Sequence, residues 1–257
     1  MNELVSIITP TYNSERFISE TIESVFAQTY TNWELIIYDD ASSDNTKQII
    51  ERYIEIDNRI KYFHNKENCG VAVTRNKALQ QVKGRWIAFL DSDDVWLPNK
   101  LENQVRFMKE NNYFFSYHRY VKIDEKSQLQ GIMVSGIKRV SMNDIYRCCW
   151  LGCLTVMYDA KYIGLVQVED TNCDDLAIWT KILSKSDCYL LKENLALYRE
   201  RKNSLSSISI KKKLIRNYIF YREIEEKSIL QSLWFVCMNI IVHSIKKIFY
   251  THKYSIV

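Results

Sequence analysis

The sequence contains few of the residues that interrupt or link domains. Its 257 residues include only two prolines and six glycines, which argues against long flexible linkers because such linkers are rich in these residues. It has no internal repeat and no low-complexity segment. With 47% hydrophobic residues, a chain of this length is expected to form one large domain or a domain with an appendage.

Signals for export and for a zinc site are also missing. The amino-terminal stretch MNELVSIITPTYN has no basic region, no long apolar run and no cleavage site, so we expect a protein that is not exported. The seven cysteines are odd in number and show no paired metal-ligand spacing. A reduced cytoplasmic protein with buried thiols is the simplest interpretation.

Positive charge is concentrated towards the carboxyl terminus. Residues 199–257 carry 12 Lys and Arg against 4 Asp and Glu, a net charge of +8, whereas the rest of the chain carries 23 basic and 27 acidic residues. An acidic body with a basic tail indicates an anionic partner for the tail, either a membrane or a nucleic acid.

The tail also contains SLWFVCMNIIVHSIKKIF (232–249), which is apolar on almost every side. Asn239 and His243 interrupt it, so its apolar stretches are short for a membrane span. The flanking basic sequences KKKLIR and IKK are typical of a helix that lies on an anionic membrane. This favours a membrane over a nucleic acid, and the alternatives are a core helix that packs on the rest of the protein or an interface between copies of the chain.

Strands and helices alternate over the first 110 residues. LVSII, WELIIY, RIKYFH and WIAFL predict strands, and the segments between and after them have the apolar spacing of helices. This alternation predicts a mostly parallel sheet, which binds ligands beyond the carboxyl ends of its strands. Residues 9–13, Asp39 and Asp40, and the acids of LDSDD would therefore meet at one edge. Beyond residue 112 the sequence predicts further strands and helices, and the last 40 residues are predicted to be helical.

The acids of RWIAFLDSDDVWLP (85–98) follow a buried strand directly. Carboxylates this close raise one another's pKa unless a cation lies among them. Magnesium and manganese prefer oxygen ligands and often bind one or two carboxylates together with substrate phosphates. The stretch therefore indicates a metal that in turn holds a diphosphate, and the alternative is that the acids cap the next helix or face water.

Six segments together resemble the family-2 glycosyltransferases with the GT-A fold. They are TPTYN (9–13), YDDASSDNT (38–46), NCGVAVTRNKAL (68–79), FLDSDDVWLP (89–98), CDDLAIWTKIL (173–183) and LALYRERKNSLSS (195–207). The last two resemble the family's E-D-x-x-x-W and Y-R-x-x-x-x-S patterns. The resemblance implies an α/β fold in which a mostly parallel nucleotide-binding sheet is flanked by helices. It implies a domain over 1–207, with a nucleotide-sugar half (1–111) and an acceptor half (112–207), followed by a helical tail (208–257).

The resemblance assigns one group of residues to the nucleotide. Asp40 would bind the base, with Thr9 and Tyr12 beside it, although loop packing alone would also explain Tyr12. Asp39 is the weaker candidate for binding the base and would instead stabilise the turn. Arg75 would lie near the nucleotide, unless it is only a surface residue of its helix.

A second group would serve the donor sugar and a metal. By the same resemblance Asp91 would bind the ribose or the donor sugar, and Asp93 would hold a divalent ion, Mn²⁺ or Mg²⁺. Asp94 would cap or brace the loop. Arg199 and Arg201 would either contact the diphosphate or begin the basic tail.

The family's general base is the second acid of its E-D pair, and alignment on Trp179 places Asp175 there. Asp174 stands where the family has the longer Glu. Two acids at this position also suit the start of the helix near Leu176, because Asp is a favourable N-cap residue. Both roles are compatible, since the start of a helix projects side chains into a cleft.

The activity implied by the resemblance is an inverting glycosyltransferase. It would move a sugar from a nucleotide-diphosphate donor, UDP-linked, to a glycan or lipid-linked oligosaccharide acceptor of capsule, lipopolysaccharide or teichoic type. The enzyme would be cytoplasmic and peripheral on the inner face of the cytoplasmic membrane, with no nucleic-acid partner. One alternative is a nucleotidyltransferase, for which TPTYNSERF lacks a Gly-rich phosphate loop with a lysine. The other is a non-catalytic nucleotide-binding or glycan-binding module.

Overall fold

The structure is a computed structural model that describes residues 3–167, 174–202 and 209–254. Its strands are β1 (Val5–Thr11), β2 (Trp33–Asp39), β3 (Ile60–His64), β4 (Trp86–Phe89), β5 (Val95–Trp96), β6 (Phe115–Ile123), β7 (Leu129–Val134), β8 (Arg139–Val140), β9 (Met157–Asp159), β10 (Cys188–Arg199) and β11 (Thr251–Lys253). Its α-helices are α1 (Ile18–Phe26), α2 (Thr46–Ile56), α3 (Val71–Leu79), α4 (Lys100–Asn111), α5 (Met142–Arg147), α6 (Ala160–Ile163), α7 (Asp174–Leu183), α8 (Ile210–Ile219) and α9 (Ile229–Phe249). A 3₁₀ turn covers Cys153–Thr155 and a π-helical turn covers Phe220–Ile224.

The strands form one mixed sheet in the order β11-β7-β6-β9-β4-β1-β2-β3, and β10 adds to β5, β6 and β8. The pairs β1–β2, β1–β4 and β2–β3 are all parallel, which confirms the parallel sheet predicted for the first half of the chain. The second half is mixed, because β9 lies antiparallel between β4 and β6. The carboxyl ends of β1, β2 and β4 therefore share one edge, as predicted.

Both faces of the sheet are covered. Successive side chains of a strand point to opposite faces, and the two neighbours Ile7 and Ile8 accordingly belong to different apolar clusters. One cluster contains residues of α1, α2 and α4, and the other contains residues of α3, α5 and α7. Helices thus pack on both faces of the sheet, and the carboxyl edge of β1, β2 and β4 positions the loops described below.

The first strand is longer than predicted. The sequence placed its end at Ile8, but the ladder with β2 continues to Thr11, opposite Asp39. Thr9 therefore lies inside the strand and not in a loop. In the loop after this strand, the Ser14 hydroxyl lies 2.7 Å from the hydroxyl of Ser92. That contact joins the loop after β1 to the loop after β4.

The tail packs against the rest of the protein. Phe220 and Tyr221 are buried, and the Tyr221 hydroxyl donates to the backbone oxygen of Tyr146 at 2.7 Å. Phe235 of α9 lies against both tyrosines, with ring centroids 5.1 and 5.4 Å away. After α9 the chain adds β11 antiparallel to β7, a strand that the prediction of an all-helical tail missed. The predicted domain boundary between 207 and 208 lies outside the described residues.

The other face of α9 is exposed and apolar. Residues spaced by three and four positions form a stripe on this face: Leu230, Leu233, Trp234, Ile241, Ile245 and Ile248. By length and composition, α9 is the one helix of the described ranges that is long and apolar enough to cross a membrane. The same helix contacts α5, α8 and β11. It therefore combines both predicted alternatives, a face packed on the protein and a free apolar face.

Candidate active site

The loop after β4 is fixed at both ends. The backbone N–H of Leu90 donates to Ile8 O at 3.0 Å, and the N–H of Asp94 donates to Asp91 O at 3.1 Å. Asp94 is buried and accepts a hydrogen bond from the backbone N–H of Arg199 at 2.8 Å. Burial, followed by the charges of Asp93 and Asp91, raises the pKa of Asp94 well above its usual value. Asp94 therefore braces the loop against β10, one of the two roles predicted for it.

The carboxylate of Asp93 lies against the guanidinium group of Arg201. Its Oδ2 lies 2.6 Å from Arg201 Nε, and its side chain is 15% exposed. Burial raises its pKa, and the charge of Arg201 opposes that rise. Arg199 is buried below the loop, where its Nε donates to Asp93 O at 2.7 Å and its Nη2 pairs with Glu20. Both arginines thus turn towards the loop and do not start a free tail.

The donor set at this loop fits a hard divalent ion. No group of three or more His, Cys, Asp or Glu that could enclose an ion occurs in the described ranges. An ion that takes one or two carboxylates and leaves its other positions to a diphosphate needs no such group. Asp93 would supply one oxygen ligand, and in this structure its carboxylate pairs with the positive charge of Arg201.

Arg75 connects the loop after β4 to helix α7. Its side chain is 3% exposed; its Nη1 lies 2.7 Å from Asp175 Oδ1 and its Nη2 lies 3.4 Å from Asp91 Oδ1. Nη2 also donates to Cys153 Sγ at 3.5 Å. The interpretation of Arg75 as a surface residue is therefore wrong. Arg75 lies on the buried side of α3, together with Ala72 and Ala78.

Helix α7 presents Asp175 in its first turn. Trp179, one turn further on, is fully buried and lies edge-on to Phe89 of β4 at 5.4 Å and against Phe115 of β6 at 6.1 Å. These contacts fix α7 over the sheet, and the Asp175 side chain remains 49% exposed. A half-exposed carboxylate held by an arginine suits a proton acceptor for a bound hydroxyl. The side chain of Asp174 lies outside the described residues.

Asp40 organises the loop that leads into α3. Its two oxygens accept hydrogen bonds from Asn65 Nδ2 at 2.7 Å and from the backbone N–H groups of Cys69 and Gly70 at 2.8 Å each. Gly70 has φ of 86°, a conformation that glycine adopts without strain. Asp40 thereby sets the start of the helix that carries Arg75. The role predicted for it in base binding stays a prediction.

The other residues predicted for the nucleotide lie at the same edge. Tyr12 follows β1 and is 49% exposed, so its ring is accessible for stacking on a planar group such as a base. Thr9 is fully buried, and its hydroxyl has no hydrogen-bond partner within the described ranges, so its donor contact stays a prediction. Asp39 accepts from Ser42 and, at 2.8 Å, from the Tyr62 hydroxyl, which agrees with a role in the turn.

Some contacts at this site leave no signal in the sequence. Glu20 pairs with Arg199 across 179 positions of the chain, and no local pattern predicts such a distant partner. Lys246 donates to Cys149 O at 2.9 Å across 97 positions, although the sequence assigned this lysine only to the basic tail. Both contacts depend on the tertiary fold.

Comparison with known proteins gives one consistent result. The model of the family described as Glycosyl transferase family 2 matches residues 6–147. The putative teichuronic acid biosynthesis glycosyltransferase TuaG of Bacillus subtilis (strain 168) is 39% identical over 233 residues, which is 90% of this chain and 92% of TuaG. The Escherichia coli enzyme WfgD, a UDP-Glc:alpha-D-GlcNAc-diphosphoundecaprenol beta-1,3-glucosyltransferase, is 37% identical over 252 residues, which is 97% of each chain.

The fold agrees with a solved structure. The crystal structure of S. aureus TarS 1–349 in complex with UDP-GlcNAc superposes with a TM-score of 0.72 at 21% identity. The match covers 95% of this chain and 74% of the TarS chain. This likeness confirms the GT-A architecture predicted from the sequence.

Proposed function

This chain belongs to glycosyl transferase family 2, and we propose that it moves a sugar from a UDP-linked donor onto a hydroxyl of a cell-surface glycan, with inversion at the anomeric carbon. It is a glycosyltransferase, so the nucleotidyltransferase alternative is wrong. The observation that carries the proposal is the guanidinium of Arg75 between Asp91 and Asp175. This contact joins the predicted donor side to the predicted base.

Two relatives support the choice of substrates. TuaG is named for teichuronic acid biosynthesis, and WfgD is named for transfer from UDP-Glc to a GlcNAc-diphosphoundecaprenol. We therefore assign this chain a UDP-linked donor and a lipid-linked acceptor in surface-polysaccharide synthesis. Asp40, Thr9 and Tyr12 would bind the base, and Asp91 the ribose or the donor sugar.

The chemical step would be a single displacement. The acceptor oxygen forms a bond to the anomeric carbon while its proton passes to Asp175, the general base. The bond from that carbon to the diphosphate oxygen breaks, and the nucleotide diphosphate leaves with the electron pair. Attack from the opposite face gives a β linkage from an α-linked donor. The positive charge that develops on the sugar in the transition state resembles that of an oxocarbenium ion.

The remaining polar residues would prepare these groups. Arg75 holds the Asp175 carboxylate in one orientation, so that it does not have to be ordered when the acceptor arrives. Asp93 would hold Mn²⁺ or Mg²⁺, an ion that supplies positive charge to a leaving diphosphate. Asp94 and Arg199 keep the loop in place.

We also propose that α9 docks the enzyme on the inner face of the cytoplasmic membrane. Its exposed stripe includes Trp234 and Ile241, which are 59% and 53% exposed, and Lys211 and Lys212 of α8 are exposed in the same tail. An apolar face with nearby basic residues binds anionic lipid, with about 1 kcal/mol for each basic residue near the surface. We keep the predicted domain limits, with a catalytic domain over 1–207 and the tail over 208–257.

The stereochemistry of the product tests the proposed function. The enzyme would be incubated with Mn²⁺, a panel of nucleotide sugars and N-acetylglucosamine linked through diphosphate to a short alkyl chain. NMR of the product should show a new β linkage formed from one UDP-sugar. A product with retained configuration would contradict the mechanism. Binding of a donor with neither transfer nor hydrolysis would favour a non-catalytic binding module.

A further inference from the structure

The two arginines at the end of β10 are held in different ways. Arg199 is buried. Its Nε donates to Asp93 O at 2.7 Å, its Nη1 donates to Ser127 Oγ at 2.8 Å, and its Nη2 pairs with Glu20. The Arg201 side chain is 33% exposed, and its Nε lies 2.6 Å from Asp93 Oδ2. In the part of the chain that the structure describes, that Nε has no partner with hydrogen-bond geometry. Arg199 is therefore fixed below the loop, whereas Arg201 is held to Asp93 mainly by charge.

The backbone on both sides of Arg201 is anchored. The N–H of Glu200 donates to Ile123 O at 2.9 Å, and the N–H of Lys202 donates to Glu125 Oε1 at 3.2 Å. The contact with Asp93 can therefore be broken by rotation of the Arg201 side chain alone. Such rotations take picoseconds to nanoseconds in exposed residues, so the exchange of partners requires no movement of the main chain.

A guanidinium in this position opposes the binding of a divalent ion at Asp93. Mg²⁺ binds a carboxylate oxygen at about 2.1 Å, so an ion on Oδ2 would lie within about 5 Å of Arg201 Nε. Like charges at this separation repel each other, and more strongly in a partly buried site than in water. A diphosphate would relieve the repulsion, because its oxygens coordinate the ion and also accept hydrogen bonds from a guanidinium.

We propose that Arg201 is an exchangeable counter-ion of Asp93. It neutralises this carboxylate in the donor-free enzyme, hinders the binding of a free divalent ion, and turns to the diphosphate when the ion and the nucleotide arrive together. The inference rests on the proposed function, because it concerns the donor complex that this reaction uses. Arg201 thereby makes the enzyme favour the complex of metal and nucleotide diphosphate over the free ion.

Binding of Mn²⁺ in the absence of nucleotide tests the competition, with the free ion followed by its EPR signal. Arg201→Gln should bind Mn²⁺ about tenfold more tightly than the wild type, the effect expected if the ion pair blocks Asp93 in about nine-tenths of the molecules. Arg201→Lys keeps a competing charge and should bind Mn²⁺ nearly as weakly as the wild type does.

Binding of UDP at saturating Mn²⁺, measured by calorimetry, tests the second contact of Arg201. Arg201→Gln should bind UDP about tenfold more weakly, the effect of losing one hydrogen bond between charged groups. Arg201→Lys should recover only part of this affinity, because lysine lacks the forked geometry of a guanidinium. The same substitution thus shifts the two affinities in opposite directions.

Arg16→Gln is the matched control for a loss of net charge. The guanidinium carbons of Arg16 and Arg201 lie 4.9 and 5.6 Å from the ring centroid of Phe17, so both charges belong to one neighbourhood. Arg16 is exposed and pairs with Glu125 instead of Asp93. Its substitution should change either affinity less than about twofold, since exposed charges are screened by salt.

Four results would overturn the proposal. They are an unchanged Mn²⁺ affinity of Arg201→Gln, an unchanged UDP affinity of this variant, equal shifts in Arg16→Gln, or binding of UDP to the wild type that does not depend on Mn²⁺. The last result would make Arg201 a permanent partner of Asp93. Failure of the proposed function would be seen separately, as absence of transfer and donor hydrolysis by the wild-type enzyme, because neither titration requires turnover.

Discussion

Arg75 Nη1 lies 2.7 Å from Asp175 Oδ1, and Nη2 of the same guanidinium lies 3.4 Å from Asp91 Oδ1. One planar group thus fixes two carboxylates that come from different elements. Arg75→Gln should lower kcat by about 100-fold, because a small misplacement of a catalytic group has an effect of this size. Arg75→Lys should recover only part of the loss, since lysine carries charge but lacks the forked geometry.

The measurement for Arg75 is steady-state kinetics with kcat and KM determined separately for donor and acceptor. A role in nucleotide binding alone would raise KM for the donor and leave kcat unchanged. That result would show that Arg75 binds the donor and does not orient Asp175.

Asp175 is predicted to accept the proton. Asp175→Asn should keep donor binding and lose transfer by at least ~10²-fold, the usual scale for a positioned acid or base. Asp174→Asn is the matched control, because it makes the same change one residue earlier. If Asp174→Asn were the damaging variant and Asp175→Asn the mild one, the alignment on Trp179 would be shifted by one residue.

The tail is predicted to be part of the folded unit. Tyr221 is fully buried, whereas Leu230 is 81% exposed. Tyr221→Ala should lower the free energy of unfolding by about 3–5 kcal/mol, the range for removing a large buried side chain. Leu230→Ala should change it by less than about 0.5 kcal/mol. Equal unfolding midpoints in urea for Tyr221→Ala and the wild type would show that the tail does not contribute to the core.

The exposed stripe of α9 is predicted to bind membranes. The wild-type protein should float with anionic vesicles at low salt, and the double variant Trp234→Glu/Ile241→Glu should remain at the bottom of the gradient. Ile56→Glu changes an even more exposed apolar residue, on α2, and should float as the wild type does. A wild-type protein that fails to float at low salt would contradict membrane docking.

The sequence predicted much of the donor half because its signals are local. Strands ending in acids place those acids at one sheet edge, and the structure has Asp40, Asp91 and Asp93 there. The limits of β1 were wrong because its pairing with β2, not its own composition, carries it to Thr11. Trp179, the residue on which the alignment of Asp175 rests, is fully buried.

The contacts that complete the site depend on distant parts of the chain. Arg201 approaches Asp93 and Arg199 approaches Glu20 because β10 pairs with β5 and β6. Strand β9 enters between β4 and β6 with only three residues, too few to give a pattern. The sequence of α9 is apolar on almost every side, so it does not indicate which face packs on the protein and which is exposed. The neighbouring elements determine this.

Metal-dependent release of UDP, compared between the wild type and Asp93→Asn, tests the central claim most directly. Wild-type enzyme should release UDP from one UDP-sugar with Mn²⁺ and lose this activity in EDTA. Asp93→Asn should lose both the release and the Mn²⁺-dependent binding of the donor measured by calorimetry, with an unchanged circular dichroism spectrum. An Asp93→Asn variant that binds the donor with the same dependence on Mn²⁺ as the wild type would contradict the account.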